Sequence, residues 1–477
     1  MSLRKIVLGT AAMSSVGVLR LLAQFLIIPV LSRLLSPTDY GVVAMAMPFV
    51  FFTMMFADAG VGRSLVRTPS GERGVWSTCF WLSVFLGVAL ALIVAGIAPV
   101  AAIVFHEPCL SPIIMALTFV VFAQAISTIP GAALQQNHRF KVIAGIEMSA
   151  LLTGVITAIV IALCGGGAWA LVGQQIALYA VRLVLTFWFS PFHPLMVFDL
   201  KIVGEHLIFG RDVIGVNIVT FFSRSIDNLI IGKVLATAAV GIYSMAFQFA
   251  RLPMMLVIGP LQYVLYAQLA QIKNNHAAIG RTFLILTRIL AIFIFPVMGM
   301  VAVAHQPVFK LLLSEKWSAS GELFMIVAPA YALQALTGLS GTIMMVVGRT
   351  DIQLKSTMEF TVLWIATLLI SVWFGLEWAA ISYDCIVLIY SPRLLMLVLP
   401  LIECSLLSYF RTLMIPAMAT LVCISVFWQL QQSVLLGEWV QLLSAAAFAI
   451  IGIAASALAQ RRLLTSEYTQ LKAGGAF

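Results

Sequence analysis

Charge is what this chain has least of: Asp, Glu, Lys and Arg make up 9% of its 477 residues, against 62% hydrophobic ones. Soluble domains carry about a quarter charged residues, so a solvated globular surface is excluded for most of the molecule. Six cysteines occur without any CxxC spacing, which gives no disulfide framework, thiol-redox motif or zinc ribbon. HExxH, a Walker-type glycine loop and a Gly-x-Ser-x-Gly elbow are missing as well. The residues therefore call for no metal, no nucleotide, no other cofactor and no serine-hydrolase chemistry. No interval between apolar stretches has the length of a soluble catalytic domain.

What the chain has instead is long apolar runs near the ~20 residues needed to cross about 30 Å of hydrocarbon. Fourteen are counted, at 7–35, 41–59, 75–104, 111–130, 143–163, 168–189, 207–232, 239–266, 282–304, 322–347, 357–375, 377–400, 411–430 and 438–460. Glycine, proline and short polar clusters such as "HEPCLSP" and "SPFHP" punctuate them. The expected fold is an all-α membrane protein. The first run follows Arg4 and Lys5 but is too long for a signal peptide and lacks a small-residue cleavage site, so it is read as a span.

Lys and Arg accumulate in cytoplasmic loops. With the N-terminus inside, the inner segments hold seventeen basic residues and the outer ones four, Arg33, Lys233, Lys310 and Lys316. Both termini are thus expected in the cytoplasm, and the net charge of +9 follows from this bias without a nucleic-acid partner.

The chain also repeats itself. "LLSPTDYGVVAMAM" at 34–47 returns two hundred positions later as "VLATAAVGIYSMAF" at 234–247, matching Leu35, Gly41, Met45 and Ala46 with Leu235, Gly241, Met245 and Ala246. "NHRFKVIAGIE" returns loosely as "GRTDIQLKSTME", pairing Arg139 with Arg349 and Glu147 with Glu359; "GAWALVGQQ" returns as "LEWAAISYD", pairing Trp169 with Trp378 and Gln175 with Asp384, ahead of Arg182 and Arg393. Six spans separate the copies, an even number, so the halves are parallel repeats about an axis along the membrane normal. The expected organisation is a six-helix lobe over 1–200, a second over 201–405, and two extra helices with a cytoplasmic tail over 406–477. Two such bundles around a central cavity suit alternating-access transport.

These stretches carry a resemblance. "LSRLLSPTDYGVVAMA", "FADAGVGRSLVRTP", "NHRFKVIAGIEMSALLTGV" and "GGGAWALVGQQIALYAVR" resemble polysaccharide-transporter (Wzx-type) flippases, in the superfamily that includes MATE exporters and lipid II flippases. The likeness covers most of residues 1–400 and is weaker over the last two spans. It implies a fourteen-helix, two-lobed inner-membrane protein that moves undecaprenyl-diphosphate-linked oligosaccharides from the cytoplasmic to the periplasmic leaflet. Partners implied are the lipid-linked substrate, membrane lipids, and a polysaccharide polymerase with its export machinery.

The residues themselves fit an anionic cargo. A charge at the bilayer centre costs roughly 2.5–3.5 kcal/mol on insertion scales, so each one should face a cavity or a partner. Arginine stays charged and contacts phosphate oxygens bidentately. Arg251 is central in its span, lacks an acid within a turn and precedes Pro253, which is expected to kink the helix; Arg20 has Gln24 on the same helical face; Arg224 has Asp227 three residues on. These four, Arg251, Arg20, Arg224 and Gln24, are the substrate-binding candidates, weighed against helix–helix hydrogen bonds and a local Arg224–Asp227 ion pair.

Arg182, Arg288 and Arg393 lie near inner helix ends, where snorkelling anchors are expected. Asp58, Glu147 and Glu359 are expected to pair with the loop residues Arg63, Arg139 and Arg349, with a gate network as the functional alternative. Asp384, well inside a span, is a candidate for a coupling proton or sodium ion, as is Asp227; satisfaction of Asp384 by Tyr383 and backbone groups is the bland alternative. A MATE-like small-cation exporter would share the architecture but prefer an acidic cavity. A membrane polymerase or glycosyltransferase would need a soluble domain or a large periplasmic loop.

The topology is testable. In a cysteine-free background, impermeant maleimide added from the periplasm should label a cysteine placed at Ser314 and spare one at Ser70; the opposite pattern would overturn the parallel-repeat arrangement.

Overall fold

A computed structural model of the chain describes residues 27–58, 65, 73–199, 221, 225–433, 437–461 and 463. Among them every regular element is helical. In order these are α1 (Pro37–Asp58), α2 (Arg73–Phe105), α3 (Leu110–Gln136), α4 (Phe140–Leu163), α5 (Trp169–Phe189), α6 (Thr237–Ala250), a π-helical turn (Met254–Ile258), α7 (Gly259–Leu269), α8 (His276–Val303), α9 (His305–Leu312), α10 (Ser318–Thr337), α11 (Leu339–Val346), α12 (Thr350–Ser371), α13 (Leu376–Val398), α14 (Leu406–Ser433) and α15 (Glu438–Ala459). Eleven described helices, α10 and α11 counted together, are long and apolar enough to cross a membrane, and the bent α6–α7 pair makes twelve. The other two expected spans, 7–35 and 207–232, lie mostly outside the described residues. Large apolar side chains such as Ile103, Trp188 and Ile389 stand three-quarters exposed or more, a surface that hydrocarbon rather than water can cover. Trp169 and Trp378, matched by the repeat, both open their helices with exposed indoles, the position of interfacial aromatic anchors.

The chain divides into two compact units, one up to Ser244 and one from Met245. In the first, α3 and α4 both pack along α5, and α2 packs along α3. In the second, α8 packs on α14, and α10 and α12 each pack on α13. The ends alternate as successive crossings require. At one end of the first unit, Lys233 Nζ donates to the Val104 carbonyl (2.6 Å) and the Thr237 hydroxyl to Glu107 (2.7 Å). At the other, Arg139 donates to the Phe189 carbonyl (3.2 Å) and Leu195 N–H to Ser77 Oγ (3.0 Å). In the second unit, His276 Nδ1 meets the Leu401 carbonyl at 2.8 Å at one end. At the opposite end Lys310 bridges Glu315 and Glu438, both at 2.6 Å, and hydrogen bonds to the two carboxylates hold its ammonium well above the usual lysine range.

The repeated joint explains where the first unit ends. Ser36 caps α1: its N–H and hydroxyl donate to Asp39 Oδ2 (2.8 and 2.6 Å) while Asp39 N–H donates back to Ser36 Oγ (3.2 Å), a capping box with Pro37 at the first helical position. α1 then crosses α6 so closely that a Cβ on Gly41 would fall inside the Thr237 carbonyl, and one on Gly241 inside the Pro37 carbonyl. The two contacts are related by the same two-hundred-residue offset, so the two copies of the joint touch each other through matching residues. Met45, fully buried, lays its side chain against Gly232, 2.9–3.0 Å from where a Cβ there would stand. Residues 225–244 therefore belong compactly to the first unit although the repeat assigns them to the second copy.

Small residues are what permit such crossings in a membrane, where helices associate by close packing. Gly41→Ala or Gly241→Ala should lower the thermal stability of the detergent-solubilised protein by about 1–3 kcal/mol or more, the cost of overpacking. Gly96→Ala, with nothing within 4 Å of its added methyl, should be neutral or stabilising, since alanine gains about 1 kcal/mol of helix propensity. Equal melting of all three variants would remove the crossing as a structural determinant.

Candidate functional site

Proline has no N–H and its ring crowds the carbonyl four residues back, so Pro253 disrupts the helix that carries it. The chain responds with the π-helical turn Met254–Ile258 and a 43° bend between Thr237–Ala250 and Met254–Gln262. π-turns of this kind recur at functional sites. Arg251 stands at the break, half-buried, and its Nε donates to the hydroxyl of Tyr331 on α10 (3.1 Å). Tyr331 stacks on Tyr383 of α13 with ring centres 5.3 Å apart and planes 24° from parallel. Tyr383 in turn donates to Gln334 Oε1 (3.1 Å). Phe247 stands edge-on to both tyrosines and Trp364 edge-on to Tyr383. All four rings are at most 6% exposed, so the guanidinium is oriented by a rigid aromatic block rather than by a flexible neighbour.

Asp384 follows Tyr383 on α13. Its Oδ1 is buried and has no hydrogen-bond partner among the described residues, and the Tyr383 hydroxyl expected to satisfy it goes to Gln334 instead. Asp227 is 4% exposed and accepts a hydrogen bond from the Tyr243 hydroxyl (2.9 Å). Next to it, Asn228 donates to the Ala44 carbonyl of α1 (3.4 Å) and accepts from Ser244 (3.3 Å). Asp227 thus sits inside the network that ties the second joint to the first.

Glu147 and Glu359 form matched ion pairs across matched hairpins. Glu147 of α4 accepts from Arg182 of α5 at 2.6 Å. Glu359 of α12 takes Arg393 of α13 bidentately, at 3.0 Å from both Nε and Nη2. The loop arginines expected as partners go elsewhere: Arg139 to the Phe189 carbonyl and Arg349 to Asp351. Arg182 and Arg393, expected to be anchors, are the cationic halves of these pairs. A tyrosine lies one turn before each arginine: Tyr179 carries the Arg182 guanidinium over its ring at 4.8 Å, and Tyr390 donates to the Ser356 carbonyl (2.6 Å) and reaches Glu359 (3.5 Å). The environments differ, since the Glu147–Arg182 side chains are 25% and 14% exposed and the Glu359–Arg393 ones 42% and 56%. The first pair is the more enclosed of the two, so breaking it should cost more than breaking the second.

Arg20, Gln24 and Arg224 lie outside the described residues, and Asp58 is the last residue of α1. Among the described contacts, Arg251, Asp227, Glu147 and Glu359 are met by different residues: Tyr331, Tyr243, Arg182 and Arg393. Sequence reasoning missed Tyr331, Tyr243 and Gln334. The available signal for Gln334 was the repeat, which places it at the position of Gln124 when Arg139 is matched with Arg349.

Residues 30–322 match the family described as polysaccharide biosynthesis protein, more than half of the chain. The succinoglycan biosynthesis transport protein ExoT of Rhizobium meliloti (strain 1021) is 25% identical over 311 residues, 65% of this chain and 62% of that relative, so somewhat under two thirds of ExoT is spanned. The lipopolysaccharide biosynthesis protein WzxC of Escherichia coli (strain K12) is 25% identical over 380 residues, 78% of this chain and 76% of WzxC. Among solved structures, the lipid II flippase MurJ in an inward closed conformation superposes with a TM-score of 0.76 over 97% of this chain and all of that one, at 12% identity, a likeness of fold. The chain is therefore a multi-pass membrane member of the polysaccharide biosynthesis protein family.

Proposed function

We propose that this protein is a flippase that carries undecaprenyl-diphosphate-linked oligosaccharide across the bacterial inner membrane by alternating access. The observation that carries this reading is Arg251: a guanidinium at a proline-broken membrane helix, held through Nε by Tyr331. Holding a cation inside hydrocarbon costs free energy that an anionic cargo would offset. A planar guanidinium is suited to successive oxygens of a diphosphate. Arg20 and Arg224, with Gln24, are the proposed further contacts. The transport and lipopolysaccharide-biosynthesis relatives support a glycan-bearing cargo, and a small-cation exporter would be served poorly by an arginine at this position.

Asp227 and Asp384 are the proposed coupling acids. Asp384 is the better placed, since its buried Oδ1 has no described donor whereas Asp227 is engaged by Tyr243. The Glu147–Arg182 and Glu359–Arg393 pairs, with Asp58, are the proposed gate elements, one on each repeat. Both termini are assigned to the cytoplasm on the charge bias, the lobes to 1–200 and 201–405 on the repeat, and a polysaccharide polymerase with its export machinery to the downstream side.

In a strain lacking the native gene, Arg251→Ala should abolish surface-glycan production while immunoblots of membranes show normal protein. Arg251→Lys should retain part of the activity, because charge survives and bidentate geometry does not. Full export by the Ala variant would exclude Arg251 from the path.

Tyr331→Phe removes one hydrogen bond to a charged group, worth about 1.5–3 kcal/mol, and should reduce export roughly tenfold or more. Unchanged export would show that the aromatic block does not orient the guanidinium.

A further inference from the structure

The first unit contains a polar cavity whose wall includes the Glu147–Arg182 pair proposed above as a gate element. It occupies about 300 Å³ between α3, α4 and α5, where α3 and α4 each pack on α5 but touch one another little. Its polar walls are Gln124, Ser127, Thr128 and Gln135 of α3, Glu147 of α4, and Arg182 and Thr186 of α5. These lie toward the helix ends that the charge bias places on the cytoplasmic side.

We propose that this cavity is a sugar-recognition subsite, seating one monosaccharide of the glycan as the cargo is loaded; the proposal deepens the flippase reading and rests on it. The chemistry of the walls selects the ligand class. The carboxylate and the guanidinium are already paired with each other at 2.6 Å. What remains is a balanced set of neutral donors and acceptors. The hydroxyls of Ser127 and Thr128 donate to the Ala123 and Gln124 carbonyls (2.6 and 3.0 Å), leaving lone pairs to offer. The carboxamides of Gln124 and Gln135 make no hydrogen bond to a described residue and offer both donors and acceptors. Arg182 Nε is buried with no hydrogen-bond partner among the described residues, an orphan donor of the kind that costs about 1–3 kcal/mol until a ligand satisfies it. Alternating donors and acceptors on a site at the small end of ligand pockets match the hydroxyls of a single sugar ring.

The second repeat supplies an internal control. It keeps the ion pair, as Glu359–Arg393, but at the matched positions Gly338 replaces Thr128 and Met345 replaces Gln135. Its glutamine, Gln334, is taken by the Tyr383 hydroxyl. Thr337 keeps the hydroxyl of Ser127, so the second copy retains part of the set but lacks the Thr128 hydroxyl and the Gln135 carboxamide, and packing the hairpin does not require those two.

The test uses full-length purified protein with the six native cysteines replaced and a single reporter cysteine, Q135C in the cavity or M255C one turn beyond Arg251. Gln135 and Met255 are both exposed enough to be labelled. Maleimide labelling is timed with bare undecaprenyl diphosphate and with the undecaprenyl-diphosphate-linked repeat unit extracted from the host. The glycolipid should slow labelling about fivefold at both positions and the bare lipid only at M255C. Adding Thr128→Val should remove protection at Q135C and leave it at M255C. Protection of M255C without protection of Q135C by the glycolipid would overturn the sugar subsite and leave the flippase reading standing. Equal protection of Q135C by the bare lipid would overturn it in favour of a lipid pocket. No protection of M255C by either lipid would overturn the assignment of Arg251 to the diphosphate, whatever Q135C shows.

Discussion

The contact on which the first unit depends is the crossing of α1 and α6, where Gly41 and Gly241 each lie against a backbone carbonyl of the other helix. Hydrocarbon provides no hydrophobic drive for helices to associate, so backbones must approach closely enough for dispersion to hold them. Glycine at that one position of each copy makes the approach possible, and the repeat makes it reciprocal. From it follow the burial of Met45, the Asn228 bond to Ala44 and the placing of residues 225–244 with the first unit rather than with the copy to which they belong in sequence.

A second constraint acts on the charges. So few ionic side chains are present that each one inside a span needs a specific reason. Four of the described sites show how that need is met, while Asp384 keeps a buried Oδ1 with no described partner. Glu147–Arg182 and Glu359–Arg393 neutralise each other across a hairpin. Asp227 is engaged by a tyrosine. Arg251 donates through Nε to a tyrosine hydroxyl held in an aromatic block, which fixes its direction.

Much of this was legible in the residues. Apolar run length gave the spans, because crossing hydrocarbon demands a minimum length and internal hydrogen bonding regardless of neighbours. Offset and parity gave the parallel repeat. Pro253 marked the bend beside Arg251, because a missing N–H acts locally. Fold class, family and the siting of Arg251 at a broken helix were thus written in local chemistry that requires no knowledge of what lies alongside.

The partners were decided only in three dimensions. Glu147 and Glu359 had arginines close in sequence, at 139 and 349, yet they pair with Arg182 and Arg393, about thirty-five residues away, because antiparallel packing of α4 on α5 and of α12 on α13 brings those side chains to the same level. The anchor of Arg251 is eighty residues distant, and no periodicity within one helix points across to the face of another. The cavity beside Arg182 likewise exists because two helices that share a neighbour diverge from each other. Local sequence sets what each helix is and where it must bend; which polar groups meet depends on rotation and crossing angle, which arise from the packing of all the helices at once.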